Sequence, residues 1–221
     1  KLSVQEIYHP LIENCVKNNL KVNQKSILLT GSNMSGKTSF IRTIAINVIT
    51  GLTINTCFAV HFSLPRMRVF SAIRISDDLM NDRSYYFEEV MTIKKMIDKS
   101  NDGNLNLFLL DEIFKGTNTI ERISAGKAVL SSLNENNNIV FVSTHDIELA
   151  DLLKDEYDLY HFSEIVDHKT VDFDYKLKDG KLKKRNAIRI LQINDYPESI
   201  INEAIEISEQ LDQITVANTR L

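Results

Sequence analysis

The chain has 221 residues, a length that fits one domain with a sizeable core. Its 26 basic and 30 acidic residues give a net charge of −4, whereas a stand-alone nucleic-acid-binding protein usually carries a basic surplus. Hydrophobic residues at 43% and charged residues at 25% exclude the disordered, collagenous and fibrous classes.

The cysteines and the apolar runs indicate the cellular location expected for the chain. Cys15 and Cys57 are far apart and show no metal-ligand spacing, so a reducing, cytoplasmic location is expected rather than a disulfide framework. No apolar run reaches about 18 residues, so no membrane span is predicted, and no signal peptide is recognised. Because the chain begins with Lys1 rather than Met, we expect it to be part of a longer protein.

Apolar strands alternate with amphipathic helices along the chain. Strands are predicted at 26–30, within 59–75, and at 105–110, 139–143, 157–166 and 171–177. Helices are predicted at 38–49, 86–97, 119–133, 147–153 and 198–211. This order indicates an α/β fold with a mainly parallel sheet flanked by helices. Polar clusters follow residues 30, 110 and 143, at the strand ends where such sheets bind ligands.

The segment after the first apolar strand matches the phosphate-loop pattern G-x-x-x-x-G-K-[ST] without a mismatch. Backbone N–H groups of such a loop surround a β-phosphate at a helix N-terminus, where the helix dipole favours anions. Lys37 can reach the β- and γ-phosphates of ATP, and Thr38 can hold Mg²⁺. The predicted nucleotide-binding residues of this loop are Gly31, Ser32, Asn33, Met34, Ser35, Gly36, Lys37, Thr38 and Ser39.

Acidic residues and a histidine follow the two later apolar strands. Asp111 suits the shell of Mg²⁺, and Glu112 suits the orientation or deprotonation of an attacking water. His145 can contact a γ-phosphate or that water. Alone, the two acids could be solvated residues at a strand end and His145 could be a capping residue. With the phosphate loop upstream, the combination predicts a Mg²⁺-dependent ATPase.

Several segments together resemble the ATPase domain of the MutS family of DNA mismatch-repair and related proteins. The segments, in chain order, are YHPLIE at 8–13, TGSNMSGKT at 30–38, DDLMNDRS at 77–84, LDEIFKGTNT at 110–119, STH at 143–145 and the Pro197 helix. The resemblance implies a P-loop NTPase fold of the ABC-ATPase type with an added antiparallel part. It also implies a single ATPase domain over 1–221, with a lead-in at 1–24 and a C-terminal helical segment at 195–221.

The resemblance implies roles for individual residues. Asn33 would position the attacking water for Glu112, and His145 would sense the γ-phosphate. Thr38 and Asp111 would serve the metal. Ser84 would reach the nucleotide of a partner subunit, because two ATPase domains of this family pair as a dimer, here expected to be a homodimer. Ser84 could equally be the N-cap of the helix that follows it.

The expected adenine pocket contains Val16, within the segment 15–19, and Tyr175. Tyr175 could instead be an ordinary strand aromatic. The chain also departs from common family patterns: Cys15 stands where an aromatic is frequent, and Phe114-Lys115 stands where Gly-Arg is frequent. These departures suggest a divergent member of the family.

A basic cluster lies between Lys176 and Arg189, interrupted by one acid, Asp179. It is either a weak DNA-phosphate or protein contact or the solvated face of a hairpin. Recognition of DNA mismatches or other DNA structures is therefore expected from domains outside this chain. Two other functions stay open: a nucleotide-gated dimerisation module with negligible hydrolysis, and a P-loop kinase, which the segment at 116–119 and the distal histidine disfavour.

Overall fold

The computed structural model describes residues 2–22, 26–32, 34–73, 85–166, 170–182 and 187–218. Contacts divide the chain into two compact units, one formed by 1–163 with 174–182 and the other by 164–173 with 183–221. The strands are β1 (Leu2–Ile7), β2 (Asn18–Val22), β3 (Ser26–Thr30), β4 (His61–Ser63), β5 (Arg68–Ala72), β6 (Asn106–Asp111), β7 (Ile139–Thr144), β8 (Tyr157–His161), β9 (Glu164–Val166), β10 (Val171–Phe173) and β11 (Lys178–Asp179). The helices are α1 (Lys37–Ile54), α2 (Tyr85–Ser100), α3 (Thr119–Leu133), α4 (Ile147–Leu153), α5 (Ala187–Ile193) and α6 (Glu198–Asn218).

The first unit is built on a six-stranded sheet with the order β11-β8-β3-β7-β6-β5. All its neighbouring strands run parallel except β11, which pairs antiparallel with β8. A mixed, mostly parallel sheet is thus confirmed. Parallel strands need crossover connections, and the helices that follow β3, β5 and β6 supply them.

Apolar residues on both faces of the central strands explain why helices cover the sheet on both sides. Ile27 and Leu29 of β3 belong to a core cluster that includes α1, whereas Leu28 between them belongs to a second cluster with α3 and α4. The side chains of β6 are likewise shared between the two clusters, since Leu109 packs in the first and Leu110 in the second. Side chains of successive strand residues point to opposite faces, so a continuous apolar strand fills two cores.

A smaller antiparallel sheet, with the order β2-β1-β4, is the added antiparallel part expected from the resemblance. Its first two strands lie within residues 2–22, where the sequence analysis predicted only a lead-in. The burial of β2 alternates strictly, with Asn18, Leu20 and Val22 inside and the residues between them exposed. That period of two is the signal for a strand that is buried on one face.

Two predicted strand ranges differ from the structure. The predicted strand 157–166 forms two strands, β8 and β9, and between them Phe162 donates its N–H to Thr30 O and packs its buried ring edge-on against Phe40. The predicted strand 171–177 ends at Phe173. α1 extends to Ile54, five residues past its predicted end, and α5 was not predicted.

The second unit contains the antiparallel pair β9-β10 and the helices α5 and α6. Pro197 precedes α6 as predicted, and its carbonyl accepts hydrogen bonds from the N–H groups of Ile200 and Ile201. Proline suits such a position because its missing N–H would be unpaired there in any case. In the parts of the chain that the structure describes, we found no helix with the length and apolarity that crossing a membrane requires.

Candidate active site

The carboxyl ends of β3, β7 and β6 meet at one edge of the sheet. In the strand register Thr30 lies beside Thr144, and Asp111 lies beside Ser143. The segments that follow these ends are the phosphate loop, Glu112 and the histidine segment. The sheet therefore brings together the three polar clusters that the sequence places far apart.

The phosphate loop is held in a conformation that requires its glycines. Gly31 has a φ of 151°, and a Cβ there would lie 2.7 Å from the Phe162 carbonyl oxygen. Gly36 has a φ of 108°, in the left-handed region that L residues rarely adopt. The Ser35 hydroxyl closes the loop by donating to Ser32 O over 2.8 Å. Asn33, the predicted water-positioning residue, lies outside the described residues.

Lys37 is the first residue of α1, and its ammonium group is enclosed by the loop. Only 4% of the side chain is exposed, and Nζ donates to Gly31 O at 2.7 Å and to Ser32 O at 2.8 Å. The same nitrogen lies 3.8 Å from Glu112 Oε1. A buried ammonium with carbonyl and carboxylate acceptors is a suitable binding group for phosphate oxygens.

Thr38 and Asp111 form an oxygen cluster beside the loop. The Thr38 hydroxyl lies 3.0 Å from Oδ1 and 2.8 Å from Oδ2 of Asp111, and the Ser143 hydroxyl donates to the same Oδ1. Hydroxyl and carboxylate oxygens are the ligands that Mg²⁺ prefers, together with waters and substrate phosphates. The donor set therefore fits the metal of a nucleotide complex. Among the described residues we find no group of three or more His, Cys, Asp or Glu that could hold a metal ion by itself.

Glu112 is buried at the centre of the site, with 8% of it exposed and a backbone φ of 56°. Its Oε1 lies 2.9 Å from His145 Nδ1, and its Oε2 pairs with the Lys115 ammonium. Partial burial of the ring, which is 41% exposed, followed by the charges of Lys37 and Lys115, lowers the pKa of His145 from its ordinary value and favours the neutral ring at pH 7. Because a carboxylate oxygen only accepts, the hydrogen bond requires the tautomer that carries a proton on Nδ1.

A cavity of about 350 Å³ opens beside the phosphate loop at the start of α1. Val16, Tyr175, Gly36 and Ser39 line it, so the predicted pocket residues lie together. The Tyr175 ring covers Gly36, since a Cβ at that glycine would lie 3.2 Å from the Tyr175 ring carbon Cδ1. A side chain on Gly36 would thus intrude on the ring that borders the cavity.

Asn18, which belongs to the expected adenine segment 15–19, holds one wall of this cavity. Its side-chain amide donates to Val16 O at 3.3 Å and to Tyr175 O at 3.0 Å, and its Oδ1 accepts from Leu177 N at 2.8 Å. These bonds join β2 to the segment that carries Tyr175, which is 45% exposed. The 157 residues that separate Asn18 from Tyr175 explain why no local pattern predicts this contact.

Two further predictions fall wholly or partly outside the described residues. Ser84 and the rest of the segment 77–84 lie there, as do residues 183–186 of the basic cluster. Within the described part of the cluster, Lys178 pairs with Asp174 at 2.6 Å, and Lys181 pairs with Asp151. These acids offset positive charge that the sequence analysis had left available for phosphate groups.

Comparison with known proteins agrees with this architecture. The family model "MutS domain V" matches residues 27–212. The DNA mismatch repair protein MutS of Listeria monocytogenes serotype 4a (strain HCC23) is 32% identical over 225 residues, which cover 96% of this chain and 26% of the relative. The protein of the same name from Bacillus cereus (strain AH187) is 30% identical over 227 residues, covering 96% of this chain and 25% of the relative.

The fold and the match together define an α/β domain of the MutS domain V class. The chain belongs to the MutS family. It spans about a quarter of the length of the curated relatives it matches.

Proposed function

We propose that the chain binds ATP with Mg²⁺ and hydrolyses it, as a P-loop ATPase domain of the ABC type. The observation that carries this proposal is the convergence of Lys37, the Thr38–Asp111 cluster and the Glu112–His145 pair at one sheet edge. Each group has one of the properties that phosphoryl transfer to water requires: a cation for the phosphates, oxygen ligands for the metal and a carboxylate for the water.

Binding would begin with an exchange of hydrogen-bond partners at Lys37. The ammonium group would leave Gly31 O and Ser32 O and donate to the β- and γ-phosphate oxygens. The Thr38 hydroxyl would turn from Asp111 towards Mg²⁺, with the Asp111 carboxylate in the outer shell of the metal. Mg²⁺ supplies charge neutralisation of the phosphates when bound. Val16 and Tyr175 would flank the base in the adjoining cavity.

Hydrolysis would depend on Glu112 and its two neighbours. The Glu112 carboxylate would orient or deprotonate the attacking water, with Asn33 as the second group on that water. Neutral His145 would donate through Nδ1 to Glu112 Oε1 and would transmit contact with the γ-phosphate to the carboxylate. In this arrangement the loss of the γ-phosphate would change the position of the histidine.

Dimerisation and a DNA partner are further parts of the proposal. Ser84 would complete the nucleotide site of a second copy of this chain, so that hydrolysis requires a homodimer and ATP acts as a switch. The Listeria and Bacillus relatives are named DNA mismatch repair proteins. We propose that this domain drives mismatch or DNA-structure binding by other domains of a longer protein.

ATP turnover tests the proposal directly. We expect Mg²⁺-dependent phosphate release whose rate per chain rises with protein concentration. This rate should fall by about two orders of magnitude or more in Glu112→Gln, the loss expected when a water-activating group is removed. Lys37→Ala should lose nucleotide binding as well. Glu135→Gln, an exposed acid on the same unit, is the matched control. Absence of turnover at any protein concentration, with nucleotide bound, would contradict hydrolysis.

A second candidate function is a nucleotide-gated dimerisation module that does not hydrolyse ATP. It is favoured by the Lys115 ammonium, which pairs with Glu112 Oε2, the carboxylate oxygen that His145 does not contact. Sedimentation with ATP and with ADP separates the two functions when combined with phosphate release. Dimerisation in ATP without turnover selects the module, and turnover that depends on dimerisation selects the ATPase.

A further inference from the structure

Glu89 is a buried acid on α2 that no step of the proposed hydrolysis uses. The residue is 7% exposed, and its Oε1 accepts a hydrogen bond of 2.7 Å from the backbone N–H of Phe114. Its Oε2 is buried without a hydrogen-bond partner among the described residues. Burial raises the pKa of this carboxyl above its usual value. Burying a carboxyl group costs desolvation free energy, which an apolar side chain of similar size would not require. Packing alone therefore does not account for an acid at this position.

The backbone that Glu89 contacts is the turn immediately after Glu112. Both Glu112 (φ 56°) and Phe114 (φ 60°) adopt left-handed conformations that are rare for residues with a Cβ. Such conformations persist where surrounding contacts enforce them. Glu112 N donates to Ser143 O at 3.1 Å, which fixes the start of the turn. The Glu89–Phe114 bond fixes its end, two residues past the Glu112 side chain.

Other contacts attach the first turn of α2 to the same segment. A Cβ on Gly116 would lie 2.9 Å from Tyr86 Cβ, so the absence of a side chain at Gly116 permits this approach. The rings of Tyr86 and Phe114 lie 6.3 Å apart. The segment 114–116 thus rests on the start of α2, and α2 begins one residue after Ser84 in the sequence.

We propose that Glu89 is a positioning residue, which holds the Glu112 carboxylate in place through the Phe114 backbone and couples it to the start of α2. The inference deepens the proposed function and rests on it where turnover is concerned. A shift of α2 would move the Phe114 N–H and, with it, the turn that aims Glu112. A group misplaced by about 1 Å loses up to two orders of magnitude in rate.

Two substitutions separate positioning from packing. Glu89→Gln keeps an oxygen acceptor for Phe114 N–H, whereas Glu89→Leu removes it at similar volume. Asp98→Asn and Asp98→Leu, at an exposed position of α2, are the matched controls. For the dimeric ATPase we expect kcat to fall about tenfold or more in Glu89→Leu, in the range found for residues that orient a reactive group. KM for ATP should change less than about twofold, and Glu89→Gln should recover most of kcat.

A second readout does not depend on turnover. The backbone amide signal of Phe114 and the imidazole ¹⁵N signals of His145 report, respectively, the Glu89 bond and the position of Glu112. We expect both to shift in Glu89→Leu, and the histidine signals to return in Glu89→Gln. Unchanged histidine signals in Glu89→Leu would overturn the positioning role, as would a kcat equal to that of the Asp98 controls. A wild-type chain without turnover would refute the proposed hydrolysis, while the shifted signals would still support the positioning of Glu112.

Discussion

Arg122 on α3 and Asp146 before α4 form a two-pronged ion pair, in which Nε lies 2.8 Å from Oδ2 and Nη2 lies 2.8 Å from Oδ1. The pair is partly buried, with side-chain exposures of 20% and 11%. Asp146 follows His145 directly, and its N–H donates to the Thr144 hydroxyl. His145 therefore lies between Thr144, which belongs to β7, and Asp146, which the ion pair holds in place.

A double-mutant cycle on this pair should show strong coupling. We expect Arg122→Ala and Asp146→Ala each to lower the free energy of unfolding by about 1–3 kcal/mol, since charge-assisted hydrogen bonds are lost. The coupling energy should be about 1–2 kcal/mol in urea unfolding. Lys127 and Glu156 form a more exposed pair on the same unit, for which coupling below about 1 kcal/mol is expected. Equal coupling for the two pairs would contradict the bidentate geometry.

The Thr38 hydroxyl should matter only when Mg²⁺ is present. Thr38→Val removes the oxygen that faces Asp111 and keeps the branched shape. We expect ATP affinity in Mg²⁺ to fall by about tenfold or more, while ATP affinity in EDTA stays within about twofold of wild type, because one metal ligand is lost. Calorimetric titration in both buffers measures this. Thr50→Val, further along α1 and not among the residues that line the cavity, is the control for the loss of a helix hydroxyl.

Titration of His145 should give a pKa below 6.5, because partial burial and the charges of Lys37, Lys115 and Arg122 disfavour the charged ring. Between pH 6.5 and that lower value, the unfolded chain binds the proton while the folded chain does not. Lowering the pH through this range therefore reduces the free energy of unfolding. Lys115→Met should raise the pKa of His145, since one of the cations is removed. Proton NMR measures the shift, and Lys127→Met, at a cation that is not among these causes, should leave the pKa unchanged.

Gly36 should tolerate no side chain, for two separate reasons. Its φ of 108° strains any L residue, and a Cβ would lie 3.2 Å from the Tyr175 ring. We expect Gly36→Ala to lower the free energy of unfolding by about 1–3 kcal/mol. Tyr175→Ala should relieve only the contact and leave the strain. The double variant should therefore remain less stable than Tyr175→Ala, which thermal unfolding can measure.

Much of the first unit could be predicted from sequence, because its signals are local. The predicted limits of α3 match the structure, since Asn118 is an N-cap whose side chain accepts from Glu121 N. The three buried strands were found because continuous apolar runs have few alternatives. α1 was predicted to end at residue 49, but it continues through Gly51 to Ile54. The missing side chain at Gly51 allows a close approach of Leu64, whose Cδ2 would lie 2.9 Å from a Cβ at that position.

Residues that act through distant contacts could not be found in this way. Glu89 stands next to Glu88 in an amphipathic helix, a pattern typical of a solvated face. Its burial follows from the packing of α2 on a segment that begins about 25 residues later, at Phe114. The ion pair of Arg122 and Asp146 likewise joins two helices that the sequence separates by a strand. Local patterns report strands, caps and loops, whereas these pairings depend on how the sheet orders its helices.

The burial of Lys37 has a consequence for the energetics of ligand capture. Its ammonium group is removed from water in the folded chain and satisfied by two carbonyls of its own loop. A phosphate that displaces those carbonyls meets a cation that is already dehydrated. The free energy of dehydrating this charge is therefore part of the free energy of folding and does not oppose phosphate binding. In the proposed complex, discrimination between bases would depend on the cavity beside the loop, which Val16 and Tyr175 line.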